Sequence, residues 1–209
     1  MVWKIWLLVP LIYTLFSLWY FNWQGALTPV EIDRFMAAFE ELEGSKHTDK
    51  ATFRRFLEED DGGEFIMLNQ VQLHRGDVVH PLTGKAMNAS ELVGEYFGPF
   101  ALSLLKRGGH PVFQARTLGG NIDSWNAETN VGFGTTAMMR YKSRRDVVEL
   151  VLAPAFADAH IYKLAAIERT ISYPTRIVMS TWLRPPVAVL LALLLLASLA
   201  QNISFLVRP

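Results

Sequence analysis

The sequence predicts a single α+β domain held between two membrane-spanning helices. Three observations carry this. Apolar segments close both ends, Ile5–Phe21 and Val187–Leu206, and every charged side chain except Lys4 and Arg208 lies between them. At Glu64 the hydrophobic period changes from helical to two. From there strands and helices alternate as β-α-β-β-α-β, a split pattern that folds as a four-stranded antiparallel sheet with helices on one face.

Crossing a hydrocarbon core takes about 20 mostly apolar residues at about 1.5 Å rise each. The first segment, IWLLVPLIYTLFSLWYF, is uncharged, with Trp3 and Trp6 near one end and Trp19, Tyr20 and Trp23 at the other, as expected of rings at headgroup level. Pro10 is tolerated near the end of a membrane helix. No small-x-small cleavage site follows in FNWQGALTP, so the segment is expected to be retained rather than removed as a signal peptide. The second, VAVLLALLLLASLAQNISFLV, is apolar all round, unlike the one-sided stripe of a surface helix, and has Trp182 before it. Its Gln201 and Asn202 are placed to lie at an interface or to bond a neighbouring helix. The predicted helices occupy 1–23 and 185–207.

Orientation follows from cations. Lys4 and the amino group precede the first span, and no cation follows it until Arg34, which favours cytoplasmic termini and an extracytoplasmic domain at a bacterial inner membrane; Arg169, Arg176 and Arg184 pull the other way. Of 209 residues, 20 are Lys or Arg and 20 Asp or Glu; without Lys4 and Arg208 the interior holds 18 cations against 20 acids, which disfavours a nucleic-acid partner. The chain has no cysteine, which excludes disulfides, thiolate metal sites and a cysteine nucleophile.

Between the spans, 27–63 reads as a helical hairpin or stalk. Thr28 caps, Pro29 suits the first helical position and Glu31 completes a capping box; Ile32, Phe35, Met36 and Phe39 follow at helical spacing. Gly44 and Ser45 break the pattern. A second short helix through Phe53, Phe56 and Leu57 ends at Asp60-Asp61-Gly62-Gly63, where EEDDGGE lacks the alternating ligands of a calcium loop and reads as a solvated helix terminus. The α+β domain spans 64–181. FIMLNQVQL alternates as a strand; a loop with Gly76, Pro81 and Gly84 follows; Asn88 caps a helix bearing Leu92, Tyr96, Phe100 and Leu104, with Gly94, Gly98 and Pro99 predicting a kink. Val112–Leu118 and Thr135–Tyr141 read as strands joined by the long polar link GGNIDSWNAETNVGFG. Ser143 caps the next helix, with Asp146 three residues on; Ala153-Pro154 interrupts it, and a second piece puts Phe156, His160, Leu164 and Ile167 on one face. Thr175–Ser180 is expected to be the last strand, started by Pro174.

Four passages carry a family resemblance: FIMLNQVQL, GGHPVFQAR, the helix start Tyr141-Lys142-Ser143-Arg144-Arg145, and APAFADAHIYKLAAI with its His160. On these, Phe65–Arg176 resembles the ferredoxin-like proteins of the dimeric α+β barrel superfamily, most closely an uncharacterised bacterial branch related in fold to antibiotic-biosynthesis-type monooxygenases. Lys142 stands where a proline is common in that branch, and Lys163 where an arginine is common. The resemblance implies paired sheets in a dimer and a cleft between each sheet and its helices. The superfamily includes cofactor-free monooxygenases, haem-degrading enzymes and members with no known activity, so fold does not settle function.

Candidate site residues are Asn69, Trp125, Arg140 and His160. Asn69 is the one polar side chain on the more apolar face of its strand and needs hydrogen-bond partners. His160 points toward core or cleft, as a base, a haem ligand or a paired core histidine. Trp125 and Arg140 are placed to line a cleft mouth and hold an anion, or to serve as a loop cover and a surface arginine; Arg116 has the same two readings. His74, His80 and His110 lack metal-ligand spacing, and no nucleotide loop or serine-nucleophile motif occurs, so no metal or cofactor is expected. The expected function is a membrane-anchored module acting by association, as a homodimer or an accessory subunit of a membrane complex. The alternative is a small-molecule enzyme or ligand-binding protein of the monooxygenase-like type.

Overall fold

The structure, a computed structural model, describes residues 3–42, 46–126 and 132–206. Gly44 and Ser45, the middle of the 119–134 link, and Arg208 lie outside them. The chain divides into two compact units, one made of its two ends, up to Trp23 and from Ile177, and one of Gln24–Arg176.

The terminal unit is a pair of helices, α1 (Trp3–Tyr20) and α7 (Pro185–Leu206), packed on each other. Both are long and apolar enough to cross a membrane. Helix α1 runs unbroken through Pro10, and Phe16 and Tyr20 stack at 5.1 Å along it. Gln201 takes the role expected of an amide in an apolar helix: its Oε1 accepts a hydrogen bond from Trp6 Nε1 at 2.6 Å, joining the two helices.

In the second unit, α2 (Pro29–Glu40) and α3 (Lys50–Glu58) precede the strands β1 (Phe65–Leu73), β2 (Asp77–Val79) and β3 (Ala86–Asn88). Then come α4 (Ala89–Lys106), β4 (His110–Arg116), β5 (Thr135–Tyr141), α5 (Arg144–Val151), α6 (Pro154–Ala166) and β6 (Ile167–Thr175). The architecture is mixed α+β around a four-stranded antiparallel sheet of order β4-β5-β1-β6. The expected caps form: Thr28 and Glu31 close a capping box, Asn88 Oδ1 accepts from Ser90 N at 2.9 Å, and Ser143 Oγ accepts from Asp146 N at 3.2 Å.

Alternation along β1 assigns the faces. Phe65 and Met67, with Ala137, Met139 and Tyr141 of β5, pack against Tyr96, Phe100 and Leu104 of α4 and Val148 and Leu150 of α5. The Phe65 and Tyr141 rings lie nearly parallel at 5.2 Å. Leu27, Ile32, Phe35, Met36 and Leu57 belong to the same core, so the helical pair of 27–63 is continuous with the sheet domain. Leu57, Leu92 and Leu150 are fully buried. Each contributes about 1.5–3 kcal/mol, far more than a solvent-screened surface ion pair such as Arg54–Asp33, so apolar packing dominates.

Two expectations need correction. The last strand is Ile167–Thr175, not Thr175–Ser180. Helix α6 passes directly into it, so Ile167, which continues the helical stripe of Phe156, His160 and Leu164, is in fact the first strand residue. Pro174 sits inside the strand because β6 is an edge, hydrogen-bonded to β1 alone, where a missing N–H costs no ladder bond. Helix α4 continues from Ala89 to Lys106 through Gly94, Gly98 and Pro99. The Asp60–Gly63 turn is no solvated terminus. Asp60, its side chain 1 % exposed, accepts from Leu27 N at 2.8 Å and Gly62 N at 3.1 Å and pairs with Arg144. Gly62 has φ +74°, and a Cβ there would meet the Ala26 nitrogen at 2.8 Å, so glycine is required on both counts.

Arg145 fastens the start of the unit. It donates to both carboxylate oxygens of Glu31, at 3.1 and 3.3 Å, and to the carbonyls of Gly25 and Ala26. The hydrogen bond from Arg145, then those from Thr28, hold Glu31 down to about 2. Within the expected 76–87 loop lies the hairpin β2–β3, closed by His80. Its Nδ1 accepts from the N–H groups of Leu82 and Thr83, both at 3.1 Å; the ring proton therefore sits on Nε2, which donates to Glu95 at 3.1 Å.

Arg145→Ala leaves Glu31 without its cation and is expected to cost about 2–3 kcal/mol at neutral pH, read by denaturant unfolding of the purified chain. Because Glu31 is depressed when folded, its contribution is complete above its ordinary value of 4.5 and disappears as pH falls toward 2. The gap between wild type and variant should narrow over that interval; a constant gap would disprove the assignment. His80→Ala is expected to cost about 1–3 kcal/mol by orphaning two amides. Hydrogen exchange should accelerate at Leu82 and Thr83 and stay unchanged in β1.

Candidate functional site

The four sequence candidates lie on different surfaces of the domain. Asn69 is on the helix-covered face of β1 and joins three strands: its Nδ2 donates to Met67 O at 3.1 Å and Ala137 O at 3.4 Å, and its Oδ1 accepts from Ser172 Oγ at 2.7 Å. These bonds give the amide a structural role within the sheet.

Arg140 lies on the opposite face, since it pairs with Ile66 in a register that sets Asn69 against Ala137. It is neither a surface arginine nor a cleft-mouth residue: at 3 % exposure, its Nε donates to Glu64 at 2.7 Å and its Nη1 to Gly108 O at 2.6 Å. Desolvating a guanidinium is costly, and the carboxylate and carbonyl offset that cost locally. Gly109 beside it has no room for a Cβ, which would meet Arg140 O at 2.6 Å. Trp125 is almost fully exposed in the link after β4, and Arg116 is exposed on the edge strand.

His160 sits between α6 and α4. Its ring stacks on Phe156 at 5.2 Å and meets Tyr96 edge-on at 6.4 Å. Burial pushes it down to about 4, with Lys163 and His47 acting in the same direction. No hydrogen-bond partner for it occurs among the described residues. Asn69, Trp125, Arg140 and His160 therefore do not converge on one reacting position.

The sheet's other face is the more open surface. Gln70, Thr136, Ile171 and Tyr173, with Thr117, Asn121, Gly132 and Phe133, line a shallow trough of about 480 Å³. None of these side chains is charged. Thr136 Oγ1 donates to Gln70 Oε1 at 2.9 Å, while Ile171 and Tyr173 remain 51 % and 44 % exposed. Alternation in FIMLNQVQL separates Gln70 from the face of Asn69, but Ile171 and Tyr173 lie in β6 before Thr175, where the last strand was expected to begin. No three histidine, aspartate or glutamate side chains among the described residues form a metal-binding group.

Comparison with solved structures supports the fold. A crystal structure of RPA0582, a protein of unknown function from Rhodopseudomonas palustris, is similar with a TM-score of 0.53 at 20 % identity, covering 64 % of this chain and 96 % of that one. The methylated form of RPA0582 is similar with a TM-score of 0.53 at 21 % identity, covering 65 % and 96 %. No family model and no curated protein matches the chain.

Proposed function

We propose that this chain is a membrane-anchored α+β module that works by association, as a homodimer or as an accessory subunit of a membrane protein complex. The observation that carries the reading is the uncovered face of the sheet. Antiparallel sheets tolerate solvent on one face when that face is polar, but this one presents half-exposed Ile171 and Tyr173 around an uncharged trough. Aromatic and aliphatic side chains freed of charge are what association surfaces bury.

The strand order β4-β5-β1-β6, with helices α4 to α6 against one face, supports a ferredoxin-like domain of the dimeric α+β barrel kind. Membrane anchoring is supported by α1 and α7, whose Leu7, Leu11, Leu15, Leu191 and Leu195 are exposed although each would favour an apolar surrounding by about 1.5–3 kcal/mol. A buried core helix does not expose its leucines in this way. The position of Lys4 before α1, with no cation after it until Arg34, favours cytoplasmic termini and an extracytoplasmic domain.

Mass measurement in mild detergent is expected to give twice the chain mass or a stoichiometric complex with another membrane protein. The double variant Ile171→Glu/Tyr173→Glu should dissociate it while leaving the circular dichroism spectrum unchanged. A wild-type chain that is strictly monomeric and brings no partner would sink the proposal.

A further inference from the structure

Residues 177–183 form neither helix nor strand and lead directly to α7. Ile177, Val178, Met179, Trp182 and Leu183 are all exposed, Val178 at 98 % and Met179 at 90 %. A lone exposed leucine is ordinary on a protein surface, but a continuous apolar run signals something that covers it.

The identity of that cover follows from what the segment is continuous with. Trp6 lies in the first turn of α1 and Gln201 near the end of α7, so the hydrogen bond between them makes the packed helices antiparallel. Fourteen residues on from Trp6 is Tyr20, and fourteen back from Gln201 is Val187. At about 1.5 Å per residue both stand about 21 Å from that bond, and so at one level. Trp19, Trp23 and Trp182 are all within five residues of that level. Trp23 folds back onto α1, its Nε1 donating to Ser17 O at 3.0 Å. Tryptophans gathered in this way mark the boundary between hydrocarbon and headgroups. Residues 177–183 therefore leave α7 where a bilayer surface lies. Their backbone sets the depth: apart from a bond from Trp182 N to Ser180 Oγ at 3.1 Å, it gains nothing from a helix or a ladder, and hydrocarbon does not satisfy peptide groups. The peptide units stay among headgroups and water, while apolar side chains reach the acyl chains.

We propose that residues 177–183 are a membrane-surface contact, lying along the headgroup region of the bilayer that α1 and α7 enter, with Ile177, Val178 and Met179 turned to the acyl chains. The contact rests on the reading of α1 and α7 as membrane spans. Fully extended, seven residues reach about 23–25 Å, long enough to rise straight out through the headgroups instead. The apolar run is what holds the segment down, since each large apolar side chain taken out of water favours that state by about 1.5–3 kcal/mol.

The chain has no cysteine, so a single introduced one carries a spin label at one place. The full chain in phosphatidylcholine nanodiscs is labelled in turn as Val178→Cys, Met179→Cys, Leu195→Cys in the middle of α7 and Glu91→Cys, an exposed position of α4. Relaxation by oxygen, which concentrates in lipid, is compared with relaxation by a water-soluble nickel chelate. The oxygen-to-nickel ratio at 178 and 179 is expected to be several-fold above that at 91 and below that at 195. A ratio at 178 and 179 equal to that at 91, with 195 in lipid, overturns the surface contact and leaves the spans standing. Protection of 178 and 179 from both reagents means a protein cover and overturns it as well. A water-like ratio at 195 removes the spans themselves, and the contact with them.

Discussion

Two adjacent arginines at the start of α5 hold the sheet domain to the chain segments that lead into and out of it. Arg145 gathers Glu31 and the carbonyls of Gly25 and Ala26; Arg144 pairs with Asp60, donates to Phe56 O and lies over the Phe56 ring at 4.6 Å. Asp60 in turn holds Leu27 N, and its neighbour Asp61 pairs with Arg176. Leu27, close to where the domain begins, and Arg176, where it ends, are therefore fastened to one four-residue turn. Charges removed from water persist only when their hydrogen bonds are nearly all satisfied, and here backbone carbonyls complete what the carboxylates leave open.

That fastening gives the sheet a polarity. Phe65, Tyr141 and Thr175 lie at the end where the chain enters and leaves, and Leu73, Arg116 and Ile167 at the other. Nine residues of β1 at about 3.3 Å each separate the two by about 30 Å. The link from β4 to β5, with exposed Leu118, Ile122 and Trp125, belongs to the far end.

Local signals were legible in the sequence wherever the chemistry is local. Thr28, Asn88 and Ser143 announce their helices because a cap and its recipient amide lie within three residues, and FIMLNQVQL announces β1 because its alternation runs the full strand. The terminal helices are legible from length and apolarity alone. The last strand was not, since Ile167 satisfies a helical stripe and a strand equally and only the edge position of β6 explains an internal proline. The arginine fastening was not legible either: Arg145 and Glu31 are separated by 114 residues, and nothing near either one specifies the other. Arg140 looked like a surface cation because its strand neighbours are ordinary; its burial depends on Glu64 and on the close approach of Gly108 and Gly109. Of the candidate site residues, Asn69 was correctly singled out as needing partners, but the strands that supply them were not identifiable.

The same polarity bears on where the proposed association would take place. Along the uncovered face, Ile66 and Arg140 are buried at the end where the chain exits, Leu68 and Met138 are half-buried, and the trough at Gln70 and Thr136 opens beside exposed Ile171 and Tyr173. Apolar exposure thus increases away from the arginine fastening. The buried end spends its side chains on internal pairing, Arg140 with Glu64 above all, and has nothing left to offer a partner. Beyond that end the face keeps exposed apolar area at Ile171 and Tyr173 and uncharged hydrogen-bonding groups at Gln70 and Thr136, the composition of an interface core. A partner docked on this face would meet it around Gln70 and Ile171, about 17 Å along β1 from Phe65 and clear of the end that the arginines fasten.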